Sequence, residues 1–331
     1  MMTPEEYQLW IRLEGIFTPY ARAKRDAFYH TDNNENPRPQ RFVHYTSAEA
    51  ALSIIKTKRV WMRNTTCMSD YREVQHGFEL LNKFFSDASK RNAFTAALDA
   101  CSPNSAKEAI DLFNQWWNDT RLNTYITCIS EHDDKEDSHG RLSMWRAFRG
   151  NTARVAMVFS VPWYSAGALA LNISLNPVAY LNEQEVHAEF DTVTTNIRQN
   201  CDFLRSIERS HIVGSIFNML LAGVTCLKHE GFHEEREWRV IYAPNRDASP
   251  LMECSTEIIE GVPQIVYKAP LDVKISVNLG DIDMSRIFDR LIIGPSPYPW
   301  VTYQAFVAAL TEIGVPEANK RVFVSGIPIR A

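Results

Sequence analysis

The chain of 331 residues carries none of the short glycine-rich motifs that mark the commonest nucleotide and serine-hydrolase sites. Neither GxGxxG nor GxxxxGK[ST] occurs, which removes the main support for a dinucleotide-binding Rossmann unit or a P-loop. HExxH occurs once, as His229-Glu230-Gly231-Phe232-His233, whereas the GxSxG elbow is missing. The six cysteines (Cys67, Cys101, Cys128, Cys201, Cys226, Cys254) are scattered, with no CxxC spacing. That argues against a zinc ribbon and for reduced thiols in a cytosol. No uninterrupted apolar run has the length of a membrane span. The best, Ile212 to Cys226, is broken by Ser215 and Asn218. Positive charge is not in excess either: 35 Lys and Arg stand against 40 Asp and Glu, a formal net charge of -5. Any contact with nucleic acid is then a local patch. The opening residues, Met1 to Glu6, lack the basic-then-apolar pattern of a secretory signal. These absences predict a cytoplasmic protein with no membrane partner.

What is present reads as a mixed α+β chain. Thr3, Pro4 and Glu6 form a capping-box start for a first helix. Asp32 to Pro39 reads as a loop. Short strands are predicted at Phe42–Tyr45, Arg59–Met62 and Tyr125–Ser130, and a central one at Arg154–Phe159, where the run is nearly apolar. Later strands are expected at 177–180, 238–242, 265–268, 273–277, 290–293 and 321–324. Ser47 reads as the N-cap of a helix over 48–56, and Glu131–Gly140 as an exposed acidic loop. Residues 1–40 read as a helical extension. The remainder, 41–331, reads as one domain with helical insertions near 70–120 and 183–228.

Chemistry concentrates in one stretch, Lys228 to Tyr242. His229 and His233 stand four apart there, followed by Glu234 and Glu235. The segment runs straight into a strand and offers no clear further ligand, so no metal is expected. Glu235 and Glu237 would share a face if that strand extends back far enough. The alternative is a solvated charge run leading into an ordinary strand. Upstream, His44-Tyr45-Thr46-Ser47 sits at a strand-to-helix turn, where an imidazole, a phenol and two hydroxyls beside a helix N-terminus can receive a ribose or phosphate.

His44-Tyr45-Thr46-Ser47, Trp61, Ser69-Asp70-x-x-Glu73, Ser130, Trp145 before Gly150, Lys228, Phe232, Glu235-x-Glu237-Trp238-Arg239, Ile293-Gly294-Pro295 and Ser325-Gly326-Ile327-Pro328 occur in that order. Together they resemble the blocks of a prokaryotic domain family of unknown function, whose pattern begins HYTS and carries ExEWR late. That family is similar to the ADP-ribosyltransferase superfamily. The resemblance implies an ADP-ribosyltransferase-like mixed sheet core and NAD as co-substrate, split at the nicotinamide–ribose bond. It implies Glu237 as the carboxylate that hydrogen-bonds the ribose and offsets its developing positive charge, with Glu235 at the acceptor as general base. His44 would bind ribose hydroxyls, with Thr46 and Ser47 beside it, and Tyr45 or Trp61 would stack on nicotinamide. Arg149 and Lys228 would meet the pyrophosphate. The chain departs from the superfamily pattern in its second strand, where Trp61 and Asn64 stand in place of the usual Tyr or Ser, and in its long helical insertions. The implied role is a bacterial toxin of a toxin–antitoxin or phage-defence system, with an antitoxin or inhibitor protein as partner.

RNA is the first expectation for the acceptor, with DNA and protein as alternatives. Trp116 and Trp117, with Arg121 nearby, would offer a stacking platform, and Arg146, Arg149 and Lys228 a basic patch. NAD hydrolysis and a non-catalytic binding module are the other readings.

Overall fold

The computed structural model describes residues 3–29, 39–67, 73–147, 153–162, 165–259 and 261–327. The chain divides into two compact units. Unit 1 comprises Met1–Asn33, Thr65–Thr124 and Asn176–His233, and unit 2 the remaining segments, Asn34–Asn64, Tyr125–Leu175 and Glu234–Ala331.

Among the described residues the strands are β1 (Gln40–Ser47), β2 (Arg59–Asn64), β3 (Tyr125–Glu131), β4 (Arg154–Val161), β5 (Ile173–Pro177), β6 (Ala179–Tyr180), β7 (Leu227–Lys228), β8 (Glu237–Tyr242), β9 (Glu253–Ile259), β10 (Val262–Pro270), β11 (Phe288–Ile293) and β12 (Val322–Val324).

Unit 1 is helical, with a short parallel pair formed by β6 and β7. Its first helix, Pro4–Phe17, opens with the capping box read from Thr3 and Glu6. The apolar run from Ile212 becomes the helix Arg209–Thr225, which buries Ile212, Ile216, Phe217, Leu220 and Val224. It is a core helix, and among the described residues no helix is long and apolar enough to cross a membrane. Phe84 stacks on Phe190 at 4.1 Å, with Phe85 and Phe94 edge-on around them. Aromatic pairs of this kind add about 0.5–1.5 kcal/mol each beyond their burial.

Unit 2 is built on a mostly antiparallel ten-stranded sheet, ordered β12-β11-β4-β1-β3-β2-β10-β9, with β8 also pairing β3 and β5 pairing β8. The apolar run in β4 fits its central place. Val155, Met157 and Phe159 face one core, and Ala156 and Val158 the other. The first core is closed by the helices Ala48–Thr57 and Pro299–Glu312, the second by the helix Leu142–Ala147. The strand expected at 273–277 is a turn followed by a short 3-10 segment. The Asp283 carboxylate takes the Val273 N–H at 2.8 Å and Asp272 takes that of Lys274 at 3.1 Å, so local bonds replace a ladder. The unforeseen β9 is an edge strand of largely exposed residues, without an apolar stripe to reveal it.

Candidate functional site

Strand β3 is the axis of the site. On one edge it pairs with β8 from end to end, Tyr125 with Tyr242 and Ser130 with Glu237. Its other edge is shared. β1 pairs there at Phe42–Glu131 and Val43–Ser130, and β2 at Arg63–Ile126 and Asn64–Tyr125. Between these two anchorages the His44 imidazole takes the place of a ladder bond, with Nδ1 2.9 Å from the Cys128 carbonyl oxygen. A carbonyl only accepts, so Nδ1 carries the proton and Nε2 is the acceptor in the neutral ring. Burial pulls the His44 pKa below its ordinary value, and the Cys128 carbonyl opposes this only in part.

Val43, Ser130 and Glu237 form one transverse row across β1, β3 and β8. At about 4.8 Å per strand, the row spans roughly 10 Å. Glu237 opens β8, is 5% exposed, and accepts from Arg239 Nε at 2.7 Å. Arg239 itself is 1% exposed. The next residue, Trp238, points the other way: its indole donates to Glu131 at 3.0 Å and its ring meets Phe42 edge-on.

Glu235 and Glu237 do not share a strand face, contrary to expectation. Glu235 ends a 3-10 turn, Glu230–Glu235, and Arg236 between them adopts a left-handed φ of 46°. The alternation therefore starts afresh at Glu237. The turn is fixed by Arg141, which sequence reading did not single out. One guanidinium nitrogen of Arg141 donates to the carbonyls of Glu234 and Glu235, each at 3.0 Å, and another to that of Glu131 at 2.7 Å. Its Nε meets Glu136 at 2.8 Å. Arg236 holds Asp133 and Glu136, while Arg41 holds Asp134, Asp137 and Asp289. The acidic segment expected as an exposed loop is thus pinned by arginines, and Glu131 and His132 in it are buried.

The four residues 44–47 do not converge on one pocket. They lie within β1, whose alternation sends His44 and Thr46 to one face and Tyr45 to the other. Tyr45 does not fit the stacking role. It is buried, its ring meets Trp145 edge-on at 4.9 Å, and its hydroxyl accepts the Arg141 backbone N–H at 2.7 Å. Burial pushes its phenol up to about 12. Ser47 Oγ caps the following helix, accepting from Ala50 N at 3.1 Å. Trp61, on β2, shares by register the face of Ser130 and Glu237, and carries the Lys268 ammonium 4.8 Å from its ring centroid.

Of the expected basic patch and stacking platform, only Arg146, Lys228 and Trp117 have described side chains. Arg146 is exposed, whereas Arg149 lies outside the described residues, as do Ser69, Asp70, Gly150 and Pro328. Lys228 belongs to unit 1, where it is 6% exposed, paired with Tyr180 in the β6–β7 ladder and set over the Phe232 ring. Its burial removes it from the surface patch. Trp117 is half-buried, stacks on Phe78 at 4.4 Å and packs against the core of unit 1, so one ring face is already taken. The side chains of Glu73, Trp116 and Arg121 lie outside the described residues. Among the described residues no group of three or more His, Cys, Asp or Glu is placed to hold a metal.

Several of the ordered blocks meet around Trp145. Its indole N–H donates to the His139 carbonyl at 2.7 Å, which also accepts from Ser325 Oγ at 3.0 Å. A Cβ on Gly294 would come within 2.8 Å of the ring, and one on Gly140, at φ +67°, within 2.7 Å. These glycines are required by the close approach of the tryptophan.

No curated protein matches the chain, and no solved structure does. Residues 144–240 match a family model described as a protein of unknown function (DUF2971), a segment that takes in Trp145, Lys228, Phe232, Glu235, Glu237, Trp238 and Arg239.

Proposed function

We propose that the protein is an NAD-dependent ADP-ribosyltransferase acting on a macromolecule, with Glu237 as the residue on which the reaction depends. One observation carries the reading: a buried carboxylate, ion-paired with Arg239, opens the strand that pairs with β3 on the edge opposite β1 and β2. Fixed negative charge in a poorly solvated place is what a cleaving glycosidic bond needs. As the ribose C1′–N bond breaks, nicotinamide leaves with the bonding electron pair and the ribose becomes cationic. The acceptor's lone pair then forms the new bond to C1′, and its proton passes to the carboxylate of Glu235. His44, with Nε2 as the acceptor of its neutral ring, alternates to the sheet face opposite Val43 and Glu237, so the reading rests on the carboxylate and not on the imidazole. The role in a toxin–antitoxin or phage-defence system, with an antitoxin or inhibitor as partner, rests on the family resemblance and belongs to this proposal. A nucleic-acid acceptor remains first in this reading, although Lys228 no longer contributes to it and one ring face of Trp117 is taken.

The test is transfer of label from NAD to RNA, single-stranded DNA, duplex DNA and total protein, offered separately. Glu237→Gln keeps the shape and should lose on the order of a hundred-fold or more in rate. Glu235→Gln should lower transfer while slow NAD hydrolysis survives. Saturating NAD, at about a hundred times its dissociation constant, should stabilise the wild type by about 2.7 kcal/mol. No melting shift with NAD and no label on any acceptor would sink the proposal. Label on protein alone would redirect the acceptor.

A further inference from the structure

Two of the cysteines, a hundred residues apart in the sequence, meet in space. Cys101 follows the helix Ala88–Asp99, and Cys201 opens the helix Cys201–Ser206, both within unit 1. Their sulfurs are 2.6 Å apart, well inside non-bonded contact and a short movement from a covalent bond of about 2.05 Å. The backbone around them is already tied. Arg205 donates twice to the Ala100 carbonyl, at 3.2 and 2.9 Å, and the Cys101 thiol lies 3.2 Å from the Ala97 carbonyl.

We propose that Cys101 and Cys201 are an oxidisable thiol pair that closes to a disulfide and locks the ends of the helices Ala88–Asp99 and Glu183–Gln199 together. The two thiols differ in access: Cys101 is 7% exposed, and Cys201 is half-buried. Burial, with the neighbouring Cys201, pushes the Cys101 thiol up to about 12, so Cys101 is not the thiol that meets oxidant first. Oxidation begins at Cys201. A peroxide transfers one oxygen to its sulfur, giving a sulfenic acid and one water. The Cys101 sulfur then attacks the Cys201 sulfur, the S–O bond breaks, and the hydroxyl leaves as water with the Cys101 proton. Two thiols are oxidised and one peroxide is reduced to two waters. A small thiol reverses the bond by exchange.

The experiment treats the full-length protein with stoichiometric hydrogen peroxide, denatures it, alkylates free thiols, and reads intact mass and peptides. Of six cysteines, 6 − 2 = 4 should then alkylate. The protein should be lighter by two hydrogens before alkylation, and one peptide pair should be joined through Cys101 and Cys201. Dithiothreitol should restore full alkylation. Oxidised wild type should melt several degrees above the reduced form, since the bond closes a long loop in the unfolded chain. Cys101→Ala and Cys201→Ala should each abolish the mass loss and the melting shift. Six reactive thiols after oxidation would overturn the proposal. So would a mass loss that persists in both variants, or oxidation that yields only sulfinic acid or disulfide-linked dimers.

Discussion

The two units are stabilised by different chemistry. Unit 1 is held by rings: Phe84, Phe94 and Phe190 fill its centre, and its buried charges among the described residues are Arg25, beside Glu14, and Lys228. Unit 2 takes titratable groups into its interior. Glu131, His132, Glu237, Arg239 and Asp283 are all buried there, and Arg141 ties three backbone carbonyls next to them. Removing ions from water is costly, and a core of hydrophobic residues would often be as stable or more so. The difference therefore points to unit 2 as the part selected for something other than stability alone.

The largest expected effects test this contrast directly. Phe94→Ala in unit 1 and Arg239→Met in unit 2 should each cost about 3–5 kcal/mol in denaturant unfolding, the first by leaving a cavity and the second by leaving Glu237 buried without its ion pair. They should respond differently to a second change. Adding Glu237→Leu to Arg239→Met should recover much of the loss while activity stays absent, because two matched apolar groups replace two matched charges. If the double variant is no more stable than the single, the ion pair is not what the site opposes by burial. Next comes Arg141→Ala, which strips donors from Glu131, Glu234, Glu235 and Glu136 and should cost about 2–3 kcal/mol. Arg141→Lys should recover less than half of that, since an ammonium lacks the planar fork.

Much of the frame was legible in the sequence. The unbroken apolar run 155–159 marked the central strand, and the capping residues Thr3 and Ser47 marked helix starts through local hydrogen bonds. The strand expected at 238–242 opens one residue earlier, at Glu237. What escaped depended on distant partners. Arg141 looks like any surface arginine until the 131–136 and 234–235 backbones come together around it. Val273, Ile275 and Val277 alternate like a strand, yet they are exposed because Asp272 and Asp283 bend the chain. The left-handed Arg236 carries no signal in its residue type, so the reset of alternation before Glu237 was invisible.

A smaller effect sharpens the picture of the Trp145 cradle. Gly294→Ala should cost about 1–3 kcal/mol by forcing the indole aside. In a Trp145→Leu background the same change should cost much less, a coupling readable in a thermal double-mutant cycle.

The smallest effect is a pH slope. Burial lowers the pKa of His44 and of His132, the latter against the opposing hydrogen bond that its ring donates to Asp137. Both then bind fewer protons folded than unfolded, so the stability they contribute is complete above the unfolded value near 6.5 and declines as pH falls towards their folded values. Asp133, which burial alone would push up, is held below its ordinary value by Arg236, so its contribution is lost only at lower pH. Unfolding free energy should therefore fall from about pH 6.5 towards pH 5. His44→Asn combined with His132→Asn should flatten that interval. An unchanged slope in the double variant would assign the dependence to other groups.

The interleaving of the two units also governs how the molecule comes into being. The chain passes between them five times, so no single cut releases either one as a continuous piece. Strand β1 is synthesised early, but its partner β4 ends 161 − 47 = 114 residues later. At about 5–20 residues per second, the nascent β1 waits on the order of ten seconds with that edge unpaired. Shortened gene products that end before β4 should accordingly aggregate rather than accumulate as a working half, and a separate sheet would have to be made by rejoining its segments in a new order.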